Sequence, residues 1–206
     1  MIFEPTVFVV DDDEGMSGWL RELISSVGLH VETSGSAREF LADYDPAQPG
    51  CRVLDIRMPG MSGLDLQTEL AARASHVPII IITGYGDIPA AVRAMKAQAV
   101  DFLQKPFNGQ QLLDLIHEAI ERDAQNRREQ ARRDDIDARL KLLTPRERQA
   151  LELLVAGKAN KQIAFHLSIS VKTVESHRAK VMKKLAARSV VDLVRMTLLD
   201  GARGNP

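Results

Sequence analysis

The sequence predicts two joined domains, a five-stranded, doubly wound parallel α/β sheet followed by a small all-α domain. Three observations carry this. Over residues 1–122, short apolar runs of strand length alternate with segments of helical spacing, as in a parallel sheet covered on both faces. From residue 144 onward only helical spacing remains, opened by a capping box. The charge divides along the same lines: residues 1–122 carry a net −9, residues 123–143 a net +1 and residues 144–206 a net +7.

Each element follows from local pattern. Thr6–Val10 is a continuous apolar run, as a strand buried on both faces requires. Gly15–Val27 places Met16, Trp19, Leu20, Leu23, Ile24 and Val27 on one helical face. His30–Thr33 reads as a short strand, and Ser36–Asp43 as a helix capped by Ser36. Cys51–Leu54 is the third strand, followed by a helix over Gly63–Arg73. Pro78–Ile82 is the most apolar strand. A helix over Asp87–Ala97 tolerates Pro89 in its first turn, Val100–Leu103 is the fifth strand, and Asn108–Arg122 the fifth helix. Residues 123–143 are rich in charge and in helix formers, and read as a charged helical linker, either a plain spacer or a coupling helix. Beyond it, Thr144-Pro145-Arg146-Glu147 opens a helix that Gly157 ends. A short helix, Asn160–Leu167, and a turn at Ser168–Ser170 lead to a longer helix, Val171–Leu185. A last helix runs from near Ser189 to Asp200.

Composition excludes several classes. The 206 residues are 45% hydrophobic and 27% charged, an ordinary globular mixture. No apolar run approaches the ~20 residues of a membrane span, and the N-terminus lacks a basic region and a cleavage site. A cytoplasmic protein without a membrane partner is expected. The single cysteine, Cys51, excludes an internal disulfide framework and a cysteine zinc site.

The chemistry-bearing residues lie just after the strands: Asp11-Asp12-Asp13, Asp55, Thr83 and Lys105. In a doubly wound sheet these positions face one crevice beyond the carboxyl ends of the strands. Clustered carboxylates repel one another and need a cation between them. Oxygen donors of this kind suit magnesium, which is commonly shared with phosphate. Asp55 stands where a carboxylate can attack a phosphoryl group. Lys105 can supply the compensating charge, and Thr83 a hydroxyl hydrogen bond to a phosphoryl oxygen. Taken singly each residue has a plainer role, Asp13 as a helix cap for instance. Their order on successive strand ends makes the joint pattern specific.

The segments VVDDD, LDIRMPGMSG, ITGYGD and AVDFLQKPF resemble the receiver domain of two-component response regulators, whose sheet is flavodoxin-like, in the subgroup typified by FixJ. The resemblance spans residues 5–122. It implies that Asp11 and Asp12 form the acidic pair, that Asp55 is the phosphoacceptor, and that Thr83 and Lys105 read the phosphoryl group. It implies Mg2+ held by Asp12, Asp55 and the backbone carbonyl of Arg57, with Asp11 acting through water. Phe102 takes the place of the family's switch aromatic. Gln98 departs from the glycine usual in the subgroup, which bears on the dimer face.

Residues 160–185 form a helix-turn-helix pattern. Ile163, Ala164 and Leu167 line one helix, and Val174, Val181, Met182 and Leu185 the other. The opposite face of the second carries Lys172, Thr173, Ser176, Arg178, Lys180, Lys183 and Lys184, suited to a major groove between phosphates. The run LTPRERQALELLVAGKANKQIAFHLSISVKTVESHRAKVMKKL resembles the LuxR-type DNA-binding domain. By that resemblance Lys161, Lys172, Thr173, His177, Arg178, Lys180 and Lys183 contact the backbone, while Glu175, Ser176 and Ala179 face base edges. Val190, Val191, Leu193 and Val194 would form a dimer contact.

The expected domains are a receiver at 1–122, a linker at 123–143 and a LuxR-type domain at 144–206. The expected function is a transcription factor phosphorylated on Asp55 by a cognate sensor histidine kinase. Phosphorylation would favour a homodimer, with Val92 and Lys96 as receiver contacts, that binds promoter double-stranded DNA; RNA polymerase is a further expected partner. An enzyme is not expected beyond its own phosphoryl transfer and dephosphorylation. A haloacid-dehalogenase-type phosphohydrolase would need a second Asp two residues after the nucleophile, where Arg57 stands. A degenerate, phosphorylation-independent receiver is disfavoured by the full set Asp12, Asp55, Thr83 and Lys105.

Overall fold

The computed structural model describes residues 4–73, 77–84, 92–93, 95–97 and 99–201, the last three by backbone alone. It divides into two compact units, Met1–Arg127 and Arg128–Pro206.

The first unit is built on strands β1 Thr6–Val10, β2 His30–Ser34, β3 Gly50–Asp55, β4 Ile79–Thr83 and β5 Asp101–Gln104. All pair in parallel in the order β2-β1-β3-β4-β5. β3 and β4 are buried along their whole length, which is why β4 reads as an unbroken run of isoleucines. One face of the sheet packs Val7, Val9, Cys51, Val53, Ile80 and Ile82 against helix α1 (Glu14–Ser26) and the start of helix α4 (Gly109–Lys141). The other packs Val10, Leu54 and Ile81 against helices α2 (Ala37–Ala42) and α3 (Gly63–Ala72). Caps set the helix starts: Asp13 accepts from the Gly15 and Met16 amides, Ser36 from Glu39, and Ser62 forms a capping box with Asp65. Most of the helix expected at Asp87–Ala97, and Gln98 after it, lie outside the described residues. Val92, Arg93, Met95 and Lys96 are helical.

A cation lies inside the apolar β3. Arg52 is 1% exposed, and its guanidinium carbon sits 5.7 Å from the Phe8 ring, 5.7 Å from Phe40 and 5.0 Å from Tyr44. Its Nε and Nη1 have no hydrogen-bond partner. The ring faces supply the attraction that water would otherwise give. Burial pushes the guanidinium below its usual value.

The second unit holds the end of α4, then α5 Pro145–Val155, α6 Asn160–Leu167, α7 Val171–Lys184 and α8 Val190–Gly201. Its core joins Leu151, Leu154, Ile163, Val174, Val181, Leu185 and Leu193 to Ile136, Leu140 and Leu143. Three apolar residues of the charged 123–143 segment, Ile136, Leu140 and Leu143, are therefore core residues, while Leu142 is 64% exposed. The Thr144/Glu147 capping box forms as the sequence indicates, and Gly157 follows α5 at φ 74°. Ser168 ends α6 in the left-handed region at φ 54°.

Glu147 does more than cap. Lys184 Nζ, from the last turn of α7, donates to Glu147 Oε2 at 2.6 Å and to the Leu142 carbonyl at 3.1 Å. Lys184 thus does not stand on the free basic face where the sequence pattern sets it. The Lys184 hydrogen bond and then the Thr144 amide hold the Glu147 carboxyl down to about 2. This lies below the unfolded value of about 4.3, so its stabilisation is complete above that pH and is lost as pH falls toward 2. Glu147→Ala is expected to destabilise the second unit by about 1–3 kcal/mol. Hydrogen exchange at the α5 amides reads this, and the gap between variant and wild type should close in strong acid.

Candidate functional site

Three strand ends meet through one ammonium group. Lys105 Nζ donates to Asp11 Oδ2 at 2.9 Å and to Asp55 Oδ1 at 2.7 Å. Asp11 follows β1, Asp55 ends β3, and Lys105 follows β5. The Lys105 amide donates to the Thr83 carbonyl at 2.7 Å, which brings the lysine over the end of β4. Asp11, Asp55 and Thr83 are buried. The pocket therefore forms where the sequence pattern predicts, with Lys105 as its internal counter-ion.

The backbone fixes the carboxylates. Asp55 Oδ2 accepts the Arg57 amide at 2.6 Å, and Asp11 Oδ1 accepts that of Asp13 at 2.9 Å. Burial pushes the Asp55 carboxyl up, against the hydrogen bond and charge of Lys105. Burial works against the Lys105 ammonium as well, but its hydrogen bonds to Asp55 and Asp11 outweigh this and raise it. The ammonium stays charged, as a donor to negative oxygens must. The Thr83 hydroxyl reaches only the Gly84 carbonyl at 3.3 Å, a weak bond that a better acceptor can replace.

Asp12 and Asp13 behave differently from Asp11. Asp13 caps α1, as its position suggests, and the Asp12 side chain is exposed. Among the described residues no three His, Cys, Asp or Glu side chains gather around one point. The donors still fit a hard divalent cation, being oxygens at adjacent strand ends. Asp12 would have to turn inward to join Asp11 and Asp55.

One contact at this site is not legible in the sequence. A Cβ built on Gly63 would lie 2.2 Å from the Asp55 carbonyl oxygen. The first turn of α3 is thus pressed on the strand end that bears Asp55, where only glycine fits without displacement. Phe102, on β5, is 39% exposed. Gln67 of α3 donates to the Ala97 carbonyl at 2.9 Å, tying down the residue before Gln98. Val92 and Lys96 are exposed one helical turn apart.

On α7, Lys172, Thr173, Glu175, Ser176, Ala179, Lys180 and Lys183 are exposed, as is Lys161 on α6. Ser170 caps α7 by accepting the Thr173 amide at 3.0 Å. His177 and Arg178 are half-buried, and His177 Nδ1 is shut off from solvent without a hydrogen-bond partner. At about 100° per residue, His177, Arg178 and Lys184 flank the buried Val174–Val181–Leu185 stripe rather than oppose it. On α8, Val191 is 58% exposed, Val190 and Val194 are half-buried, and Leu193 is fully buried. Leu193 closes the core and is removed from the expected dimer contacts. Leu198, missed in the sequence, is 68% exposed. It lies seven residues from Val191, two helical turns along the same face.

Residues 7–117 match the response regulator receiver domain, and residues 141–197 match the luxR family of bacterial regulatory proteins. The chain belongs to the response regulators. It is 49% identical over 199 residues to Nodulation protein W of Bradyrhizobium diazoefficiens, covering 97% of this chain and 88% of that protein. It is 44% identical over 196 residues to the transcriptional regulatory protein FixJ of Rhizobium meliloti, covering 95% and 96% respectively. Among solved structures, the response regulator StyR matches with a TM-score of 0.86 at 47% identity, over 94% of this chain and 98% of that one. Full-length FixJ from B. japonicum matches with a TM-score of 0.60 at 42% identity, over 97% and 98%. This response regulator therefore combines a receiver domain with a LuxR-type DNA-binding domain and is a FixJ-like transcriptional regulator. Receivers of the family typically bind Mg2+ at the acidic pocket and are phosphorylated by a histidine kinase partner. No helix among the described residues is long and apolar enough to cross a membrane.

Gly63→Ala is expected to push Asp55 out of reach of Lys105. The rate of phosphorylation by a small acyl phosphate should fall by at least about tenfold, equivalent to ~1.4 kcal/mol. Stopped-flow fluorescence of Trp19 or a phosphate-affinity gel time course measures it.

Proposed function

We propose that a sensor histidine kinase phosphorylates this regulator on Asp55, and that the phosphorylated chain dimerises and binds promoter DNA through α7. The supporting observation is the single ammonium of Lys105 held between Asp11 and Asp55 above Thr83. An Asp55 carboxylate oxygen forms the new bond to phosphorus as the phosphorus–nitrogen bond of the donor's phosphohistidine breaks. The imidazole leaves with the electron pair. Lys105 then has phosphoryl oxygens to hold, and Thr83 exchanges its weak bond to Gly84 for one of them. We assign Mg2+ to Asp12, Asp55 and the Arg57 carbonyl, with Asp11 through water; the ion supplies neutralisation of the phosphoryl charge. Turnover is limited to the chain's own phosphoryl transfer and dephosphorylation.

The added charge of about −1.5 to −2 is the input to the switch. Phe102 follows Thr83, and the surface bearing Val92 and Lys96 becomes a receiver dimer contact. Val190, Val191 and Val194 serve the second unit in the same way. The receiver role spans residues 1–122, the linker 123–143 and the DNA-binding role 144–206. Lys161, Lys172, Thr173, His177, Arg178, Lys180 and Lys183 hold phosphates, while Glu175, Ser176 and Ala179 face bases. RNA polymerase is the downstream partner, and the cytoplasm the compartment.

Two experiments test this. With Mg2+ and acetyl phosphate, the wild-type chain should shift on a phosphate-affinity gel. Asp55→Asn should not, and Lys105→Ala should slow the shift by roughly a hundredfold. A labelled Asp55→Asn chain, or one that dimerises in response to the donor, would overturn the assignment. On DNA, Lys172→Ala, Lys180→Ala and Lys183→Ala should each lower the slope of log K against log salt by about 0.9. Glu175→Ala should instead change which sequence is preferred. Lys184→Ala should leave the slope alone.

A further inference from the structure

The last ties of α4 to the first unit are ionic, and they grip the opposite end of the strand that carries Asp55. Asp123 is 2% exposed, and its Oδ2 accepts the Gly50 amide at 2.9 Å and Arg127 Nε at 2.7 Å. Arg127 then spreads over carbonyls of the preceding loop. Nη1 donates to Ala47 at 2.9 Å, and Nη2 to Gln48 at 2.7 Å and Pro46 at 3.4 Å. One guanidinium and one carboxylate thus occupy an amide and three carbonyls at the entry to β3.

That entry cannot shift by itself. Gly50 has φ 134°, and a Cβ there would lie 1.9 Å from the Thr6 carbonyl oxygen. The start of β3 is therefore set against β1 as tightly as backbone allows. β3 runs from Gly50 to Asp55, so the clamp and the acceptor carboxylate are the two ends of one buried strand.

Apolar packing does not replace the clamp. An open groove of about 350 Å³, lined by Pro5, Ala47, Pro49, Ile120 and Ala124, lies beside Asp123 and Arg127. Beyond Arg127, residues 128–135 are all exposed, and the next buried side chain on the helix is Ile136. Within that stretch Glu129 pairs with Arg133, and Gln130 with Asp134, along the helix surface. Such pairs support a helix but do not fix its rotation about its axis. A forked guanidinium with a shared carboxylate oxygen does, because it constrains direction as well as distance.

We propose that Asp123 and Arg127 are positioning residues for the response: their clamp fixes where and at what rotation α4 leaves the receiver. The state of the β3 end at Asp55 thereby governs residues 128–141 and, through Ile136 and Leu140, the core of the DNA-binding unit. This rests on the phosphorylation of Asp55 proposed above. The clamp residues touch neither the phosphoryl group nor DNA, so their removal should spare both chemistries and weaken the coupling between them.

The test uses the full chain, acetyl phosphate with Mg2+, and a labelled duplex selected from a random pool by the phosphorylated wild type. Arg127→Ala, Arg127→Gln and Asp123→Asn should phosphorylate within about twofold of wild type. The gain in DNA affinity on phosphorylation should shrink by at least about fivefold, the lower range of ordinary allosteric coupling. Arg127→Lys, which keeps the charge but not the fork, should fall between. In the wild type, amide exchange over residues 120–127 should be slower than in Arg127→Ala. An unchanged gain in the variants, or equal exchange there in wild type and variant, overturns the proposal. A wild-type chain that takes no phosphoryl group overturns the functional reading and this one with it. Variants that phosphorylate normally but keep the full gain overturn this one alone.

Discussion

A buried carboxylate pair cannot exist without a positive charge, and in this receiver Lys105 supplies it. Asp11 and Asp55 leave adjacent strands, so their charges face each other across the β1–β3 spacing. Lys105 comes from β5, beyond β4, and reaches over Thr83 to touch both. The arrangement needs all four strands to end at one level, which the registers supply: Val10 beside Leu54, Asp55 beside Ile82, and Thr83 beside Gln104. Removing the ammonium would leave two buried charges without compensation, a far larger penalty than any single surface pair represents.

The same contact explains how the pocket can be stable and still respond. Burial raises the Asp55 carboxyl, and the hydrogen bond and charge of Lys105 draw it back without cancelling the rise. The phosphoryl group proposed for Asp55 would change the charge that Lys105 must balance, while the bond from the Lys105 amide to the Thr83 carbonyl stays in place. Thr83 contributes a hydroxyl whose present bond is long. The pocket is rigid in its backbone and adjustable in two side chains.

Much of this was legible in the sequence, for identifiable reasons. Parallel strands buried on both faces have no polar side to disguise them, so β1 and β4 appear as runs of Val and Ile. Caps such as Ser36 and Thr144 announce their helices locally. What stayed hidden depends on distant chain. Nothing in the run 123–143 separates Asp123 and Arg127, which bind the β3 entry, from the neighbouring charges that face solvent. Arg52 is a lone cation in an apolar strand, and only the folded positions of Phe8, Phe40 and Tyr44 account for it. Lys184 belongs to a basic helix by sequence, yet the core stripe beside it turns it toward Glu147. Gly63 looks like an ordinary helix start until the Asp55 carbonyl is found against it.

The single helix α4 has a bearing on how such regulators are assembled from parts. Ile116 and Ala119 belong to the sheet's core, and Ile136, Leu140 and Leu143 to the DNA-binding core. A recombination joint placed at residue 144, where the capping box opens α5, would strip three side chains from the module it meant to transplant. A joint within 128–135 severs no core. Because one helical residue turns the chain by about 100°, an insertion or deletion there is also a change of phase. Under the coupling proposed above, exchange between relatives would favour joints that conserve helical length, or change it by whole turns.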